Sequence, residues 1–158
     1  MNNFKDKINR ARDRERCGRV KERLRRYELD LETMAEILDE IEAKRDRLDC
    51  LKSGMSNPNP MKGGGSSQED KIVKILDDLR ELEEGLGHLR AESKEVREAI
   101  KALPDPVMAT IVYSVWIYRS ESMRSLGEKY NLSHSAIWKK SDVALLFLYK
   151  KLFDEALG

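Results

Sequence analysis

Residues 122–140 read Ser122-Met-Arg-Ser-Leu-Gly-Glu-Lys-Tyr-Asn-Leu-Ser-His-Ser-Ala-Ile-Trp-Lys-Lys140. The stretch has the grammar of two short helices crossing at a tight turn. Leu126, Tyr130, Leu132 and Ile137 are apolar where the helices must touch, and Gly127 is small where their backbones come closest. Asn131 falls at the turn, where a left-handed backbone is required and Asn tolerates it. Ser122 and Ser133 are favoured N-caps for helices predicted over 123–130 and from His134 to about Leu157. Helical spacing turns Ile137 and Ala144 inward and offers His134, Ser135, Trp138, Lys139 and Asp142 on the other face. A helix-turn-helix places such a second helix in the major groove of double-stranded DNA. The candidate DNA contacts are Ser133, His134, Ser135, Trp138, Lys139 and Lys140.

Upstream of this motif, Asp105 can cap a helix with Pro106 at its first position. That helix carries Val107, Ile111, Val112, Val115 and Trp116, so residues 104–158 form a three-helix domain. Two heptad seams precede it. The first follows Val20, Leu24, Tyr27, Leu31, Met34, Leu38, Ile41 and Leu48, with Arg45 in one expected apolar place. Cys17 extends it, but Arg10 and Asp13 hold the equivalent upstream positions, which predicts first turns that are a frayed or ligand-dependent helix. The second follows Ile72, Ile75, Leu79, Leu82, Leu86, Leu89, Ser93, Val96, Ile100 and Leu103, weakened by Gly85 and Gly87. Ser66 or Ser67 is its expected cap, with Glu69 or Asp70 three residues on.

Pro58, Pro60 and the Gly63-Gly64-Gly65 triplet lie between the seams, so 53–68 reads as a linker between helices over 1–52 and 69–103. The fold class is therefore all-α: a long helical, coiled-coil hairpin followed by a C-terminal helix-turn-helix domain. The seams can close on each other in one chain, or between chains in a homo-oligomer.

Charged residues make up 37% of the 158-residue chain and aromatics 6%, a balance that suits long solvated helices. Net charge is only +1, but it is unevenly spread. Residues 1–26 hold eleven Lys/Arg against four Asp/Glu, whereas 27–49 hold nine acids and three bases. Arg10, Arg12, Arg14, Arg16, Arg19 and Arg23 are candidate phosphate contacts, or else a solvated helix end with ordinary surface pairs. No apolar run could span a membrane, and no apolar core of a signal peptide opens the chain, which points to the cytoplasm. Cys17 and Cys50, on one helix, would be too far apart to bridge. No Cys/His cluster suits zinc, no nucleophile–base pair is present, and the Gly63–Ser67 stretch lacks the lysine of a phosphate loop. Neither a cofactor nor catalysis is expected. His88 is read as a surface residue.

A basic helix, a Pro/Gly-rich break (Gly54 to Gly65), a heptad helix ending in Leu103-Pro104-Asp105-Pro106, Ile111-Val112, and Leu126-Gly127 to Ala144-Leu145 occur in that order. Over roughly residues 50–150 this resembles the RinA/ArpU-type transcriptional regulators of phages and prophages in Gram-positive bacteria, with a sigma-region-4-like helix-turn-helix. The resemblance implies a DNA-binding activator of phage late genes that acts with host RNA polymerase. It carries the recognition positions to Ser133, His134, Ser135, Ile137, Trp138 and Lys139. The chain departs from the family at Lys140, usually apolar there, at Val115, often Arg, and at Arg119-Ser120-Glu121, a longer turn without the usual glycine.

Two other classes fit parts of the pattern. A small-terminase-type DNA-packaging protein also joins a helix-turn-helix to oligomerising helices, though usually in the opposite order. A coiled-coil adaptor would bind protein and no DNA. The run Leu145-Leu146-Phe147-Leu148, apolar on every side, predicts a last helix buried on more than one face.

Overall fold

The computed structural model describes residues 3–55 and 64–153, and among these the chain is all-α with no strand. Helix α1 spans Asn3–Met55, α2 Gly64–Lys101, α3 Pro106–Ile111, α4 Met123–Lys129 and α5 His134–Leu152. The chain divides into two compact units, residues 31–91 and residues 1–30 with 92–158. No helix among the described residues is long and apolar enough to cross a membrane.

Residues 31–91 form an antiparallel helical hairpin closed within one chain. Met34, Ile37, Ile41, Leu48 and Leu51 of α1 pack on Ile72, Ile75, Leu79, Leu82 and Leu86 of α2. The Gln68 side-chain amide donates to the Leu51 carbonyl at 2.9 Å, and Lys44 meets Asp78 at 3.3 Å, which fixes the direction and register. One seam residue differs from expectation. Ile37 takes the inward place, and Leu38 is left 46% exposed. Successive residues on a helix point about 100° apart, so both cannot face one neighbour. Arg45, the seam's irregularity, lies on the flank and pairs with Glu83 at 2.9 Å.

The helices also run closer together in sequence than the linker at 53–68 predicts. α1 continues to Met55 and α2 opens at Gly64, so Ser66 and Ser67 lie inside α2 instead of capping it. Gln68 ties the first turns of α2 to the end of α1, which favours helix ahead of the serines. Residues 56–63, with Pro58, Pro60 and Gly63, lie outside the described residues.

In the second unit, Cys17, Val20, Leu24 and Tyr27 of α1 and Val96, Ala99 and Ile100 of α2 are buried. Met108, Ile111, Val112, Ile117, Leu126, Ile137, Ala144, Leu145 and Leu148 complete this core. Each large aliphatic side chain taken from water here stabilises the unit by roughly 1.5–3 kcal/mol. Both free cysteines stay unbridged, Cys17 buried and Cys50 exposed. The first turns of α1 are helical from Asn3, where a frayed or ligand-dependent helix was expected. Their Lys, Arg and Ala residues are good helix formers, but residues 3–12 are exposed on every side.

Asp105 caps α3 as predicted, accepting from the Val107 N–H, with Pro106 at the first position. The helix then widens over Val112–Ile117 into a π-helical segment, closed by Tyr118 N–H donating to the Tyr113 carbonyl at 2.8 Å. Arg119 follows at φ 51°, in the left-handed region where the sequence lacks a glycine. α5 ends at Leu152; its expected extension to about 157 falls partly on residues 154–158, outside those described.

Gly18 and Gly87 sit in exposed helix interiors, and an added Cβ would meet nothing within 4 Å at either. Gly18→Ala and Gly87→Ala are each expected to stabilise the chain by about 0.5–1 kcal/mol, read from urea unfolding midpoints at unchanged slope.

Candidate nucleic-acid interface

The helix-turn-helix is built from local signals that act as the sequence suggests. Ser122 caps α4, its hydroxyl accepting from the Ser125 N–H at 3.0 Å, and Ser133 caps α5, accepting from the Ala136 N–H at 3.2 Å. Asn131 takes the left-handed turn at φ 55°. Gly127 is the point of closest approach: a Cβ there would stand 3.1 Å from the Leu132 carbonyl oxygen and 3.7 Å from Ile137. Ile111, Met123, Leu126 and Ile137 form the core beneath, with Tyr130, Leu132, Val107, Val115 and Trp116 packed around them.

This packing turns one face of α5 outward. Ile137, Ser141, Ala144, Leu145 and Leu148 are buried, while His134, Ser135, Trp138, Lys139 and Asp142 are exposed. Ser133 is exposed too, but its hydroxyl is engaged in the cap. Trp138 is 38% exposed and leans edge-on against Trp116 and against His134, with ring centroids 6.4 and 6.2 Å apart. It both packs and presents a ring edge to solvent. Trp116 is held in turn by an indole N–H bond to the Ser141 hydroxyl at 2.9 Å and by Lys21 of α1, 4.2 Å above its ring. A cation over indole at that distance contributes about 0.5–2 kcal/mol.

Lys140 is placed elsewhere. It is half-buried and bonds the Asp105 carboxylate at the start of α3, so it does not belong to the outward face. An apolar residue would fill the same inward position; here the cation finds a carboxylate in its place. The bond from Lys140 and then the Val107 N–H hold the Asp105 carboxyl below its ordinary range.

The arginine-rich segment of α1 separates into two sets. Arg16 and Arg19 lie over the Tyr149 ring at 5.3 and 5.8 Å, and Arg19 also covers Phe153 at 4.9 Å. Arg23 donates to the Glu92 carbonyl at 3.2 Å. These three brace the fold. Arg10, Arg12 and Arg14 remain exposed, and Arg10 and Arg14 border a groove beside Asp142 and Leu146 of α5. α1 of the same chain thus meets the apolar last helix at its C-terminal end, over Tyr149 and Phe153. Burial, and then Asp142, push the Cys17 thiol pKa up, so it stays protonated at neutral pH.

The Lys21–Trp116 contact and the Arg16/Arg19 contacts to Tyr149 and Phe153 escape sequence reading. The only trace is the pairing of two basic residues three apart with two aromatics four apart. His88 is exposed on α2, as expected. No cluster of three metal-ligating side chains occurs among the described residues. No protein-family model, curated protein or solved structure matches the chain.

The Asp105 carboxylate, with its folded pKa lowered, contributes stability above the ordinary carboxylate pKa and loses it as pH falls through the folded value. Asp105→Asn keeps a capping side chain but removes the charge. It is expected to lower stability at pH 7 by about 1 kcal/mol or less, the pair being partly solvated, with the difference from the parent shrinking only below about pH 4 and vanishing once pH has fallen through the lower folded value. Urea unfolding at a series of pH values measures this; a difference unchanged from pH 7 to pH 3 contradicts it.

Proposed function

We propose that this chain is a sequence-specific, double-stranded-DNA-binding transcriptional regulator that reads its site with α5. The observation that carries the reading is the outward face of α5. His134, Ser135, Trp138 and Lys139 stand together on the first turns of a helix whose other side is locked by Ile137, Gly127 and the left-handed Asn131. Side chains on those turns are the ones a helix-turn-helix brings to base edges. Lys139 suits guanine, and the Trp138 edge suits a thymine methyl.

Charge supports the same assignment. The unit that contains α5 carries 21 Lys/Arg against 15 Asp/Glu, and the hairpin unit 9 against 14. Duplex DNA favours the first and is repelled by the second. Lys139 is one cation, and affinity needs several, so Arg10, Arg12 and Arg14 are the phosphate contacts in this reading. Three such contacts give a slope of log affinity against log salt of about −2.5 to −3.

The resemblance to RinA/ArpU-type regulators extends the proposal to an activator of phage or prophage late genes that works with host RNA polymerase in the cytoplasm, without a catalytic step of its own. The acidic hairpin is then the part free to meet protein.

Selection of binding sites from a random duplex pool tests the reading. The parent is expected to enrich one motif that Lys139→Ala loses at one or two positions and Trp138→Ala/Lys139→Ala loses altogether. Each good base contact is worth about 1–3 kcal/mol, enough for a clear loss of preference. Because Trp138 touches Trp116, the variants are compared at matched helicity by circular dichroism. If no motif is enriched while all duplexes bind equally, α5 is not the reader.

A further inference from the structure

The turn between the π-helical segment and α4 is pinned by backbone bonds on both sides of one residue. Before it, the Tyr118 N–H closes the segment on the Tyr113 carbonyl at 2.8 Å. After it, the Ser120 and Glu121 N–H groups both return to the Ser114 carbonyl, at 2.8 and 3.2 Å. A chain that ends a helix and folds its next N–H back onto the last turn passes through one left-handed residue, usually glycine. Here that residue is Arg119, at φ 51°. A side chain is disfavoured in this conformation, and Asn and Asp are the ones best tolerated. Nothing within the fold repays an arginine there. Its side chain is exposed and makes no ion pair, hydrogen bond or ring contact among the described residues. Arg124, the next cation along the chain, is by contrast paired with Glu128 at 3.8 Å.

Backbone strain of this kind clusters where a side chain is used on a ligand. The place of Arg119 says which ligand. It lies three residues ahead of Ser122, the cap of α4. In a helix-turn-helix the first helix crosses the DNA backbone while the second enters the major groove. α4 has seven residues, about 10 Å of helix, and runs at its far end into the left-handed turn at Asn131. Its start therefore stands close to one major-groove width, about 12 Å, from the reading turns of α5. A guanidinium at that distance is placed for the phosphates that border the groove.

We propose that Arg119 contacts a DNA phosphate beside the groove that α5 enters, and that the left-handed turn holds it in place for that contact. The inference rests on the proposed DNA binding and adds a cation from the helix-turn-helix itself to those of α1. A phosphate contact fixes position and carries no base preference, so its effect is the same on every sequence.

Fluorescence anisotropy of the full chain on a labelled pool of random-sequence duplexes, with urea unfolding beside it, tests the assignment. Arg119→Gly removes both charge and strain, Arg119→Asn removes the charge and tolerates the turn, and Arg119→Lys keeps the charge. The glycine variant is expected to unfold at higher urea than the parent and yet to bind DNA more weakly. Its slope of log affinity against log salt should be shallower by about 0.9, making its deficit roughly threefold larger at about 50 mM than at about 200 mM salt. The asparagine variant should bind like the glycine one, and the lysine variant close to the parent. If Arg119→Gly binds as tightly as the parent with the same slope, the inference falls and the DNA reading stands. A parent that binds no duplex overturns both. Affinity lost with glycine but kept with asparagine, or lost without a gain in stability, marks a damaged turn and also overturns the inference.

Discussion

Burial of α5 along Ile137, Ser141, Ala144, Leu145 and Leu148 is the constraint on which the rest of this structure depends. A helix held along so many turns cannot rotate, and the residues left outside are decided by that fact alone. The hold comes from three sides. α4 approaches so closely at Gly127 that a Cβ there would press the Leu132 carbonyl oxygen at 3.1 Å. The π-helical segment brings Trp116, itself under Lys21 of α1, to Ser141, and Arg16 and Arg19 of α1 lie over Tyr149 and Phe153 at the C-terminal end of α5. The wider π turn redirects side chains by a fraction of a turn relative to an α-helix. Trp116 so directed serves both as a wall for Trp138 and as a landing site for Lys21.

The same contacts explain why an arginine-rich segment does not amount to a uniform polyanion clamp. Arg16 and Arg19 place their charge over aromatic rings, and Arg23 donates to a backbone carbonyl. Truncating them would loosen the seat of α5 before it changed any external contact. The cations that remain free lie earlier, at Arg10, Arg12 and Arg14. Charge is thus divided by place: structural cations under the domain, solvent-facing cations along its edge, and an excess of carboxylates confined to the hairpin. A net charge of +1 conceals this division.

Much of this was legible in the sequence wherever the signal is local. The caps at Asp105, Ser122 and Ser133, the left-handed Asn131 and the small Gly127 each follow from chemistry within a few residues. The outward placing of His134, Ser135, Trp138 and Lys139 follows from helical spacing once Ile137 is inside. Contacts between distant segments were not legible. Lys140 looks like one more basic residue on a reading helix until Asp105, 35 residues earlier, is brought beside it. Ile37 and Leu38 are equally apolar, and only the register of the opposing helix decides which is buried. The π-helical segment leaves no trace in composition.

The central claim is that α5 lies against bases while the acidic hairpin does not. Photo-cross-linking tests it most directly, using duplexes with bromouracil in place of thymine and mass spectrometry to locate the attached peptides. The account predicts attachment within residues 134–139, strongest at Trp138, and none within 31–91. Attachment confined to the hairpin, or its absence from α5 in duplexes that still bind, would contradict it.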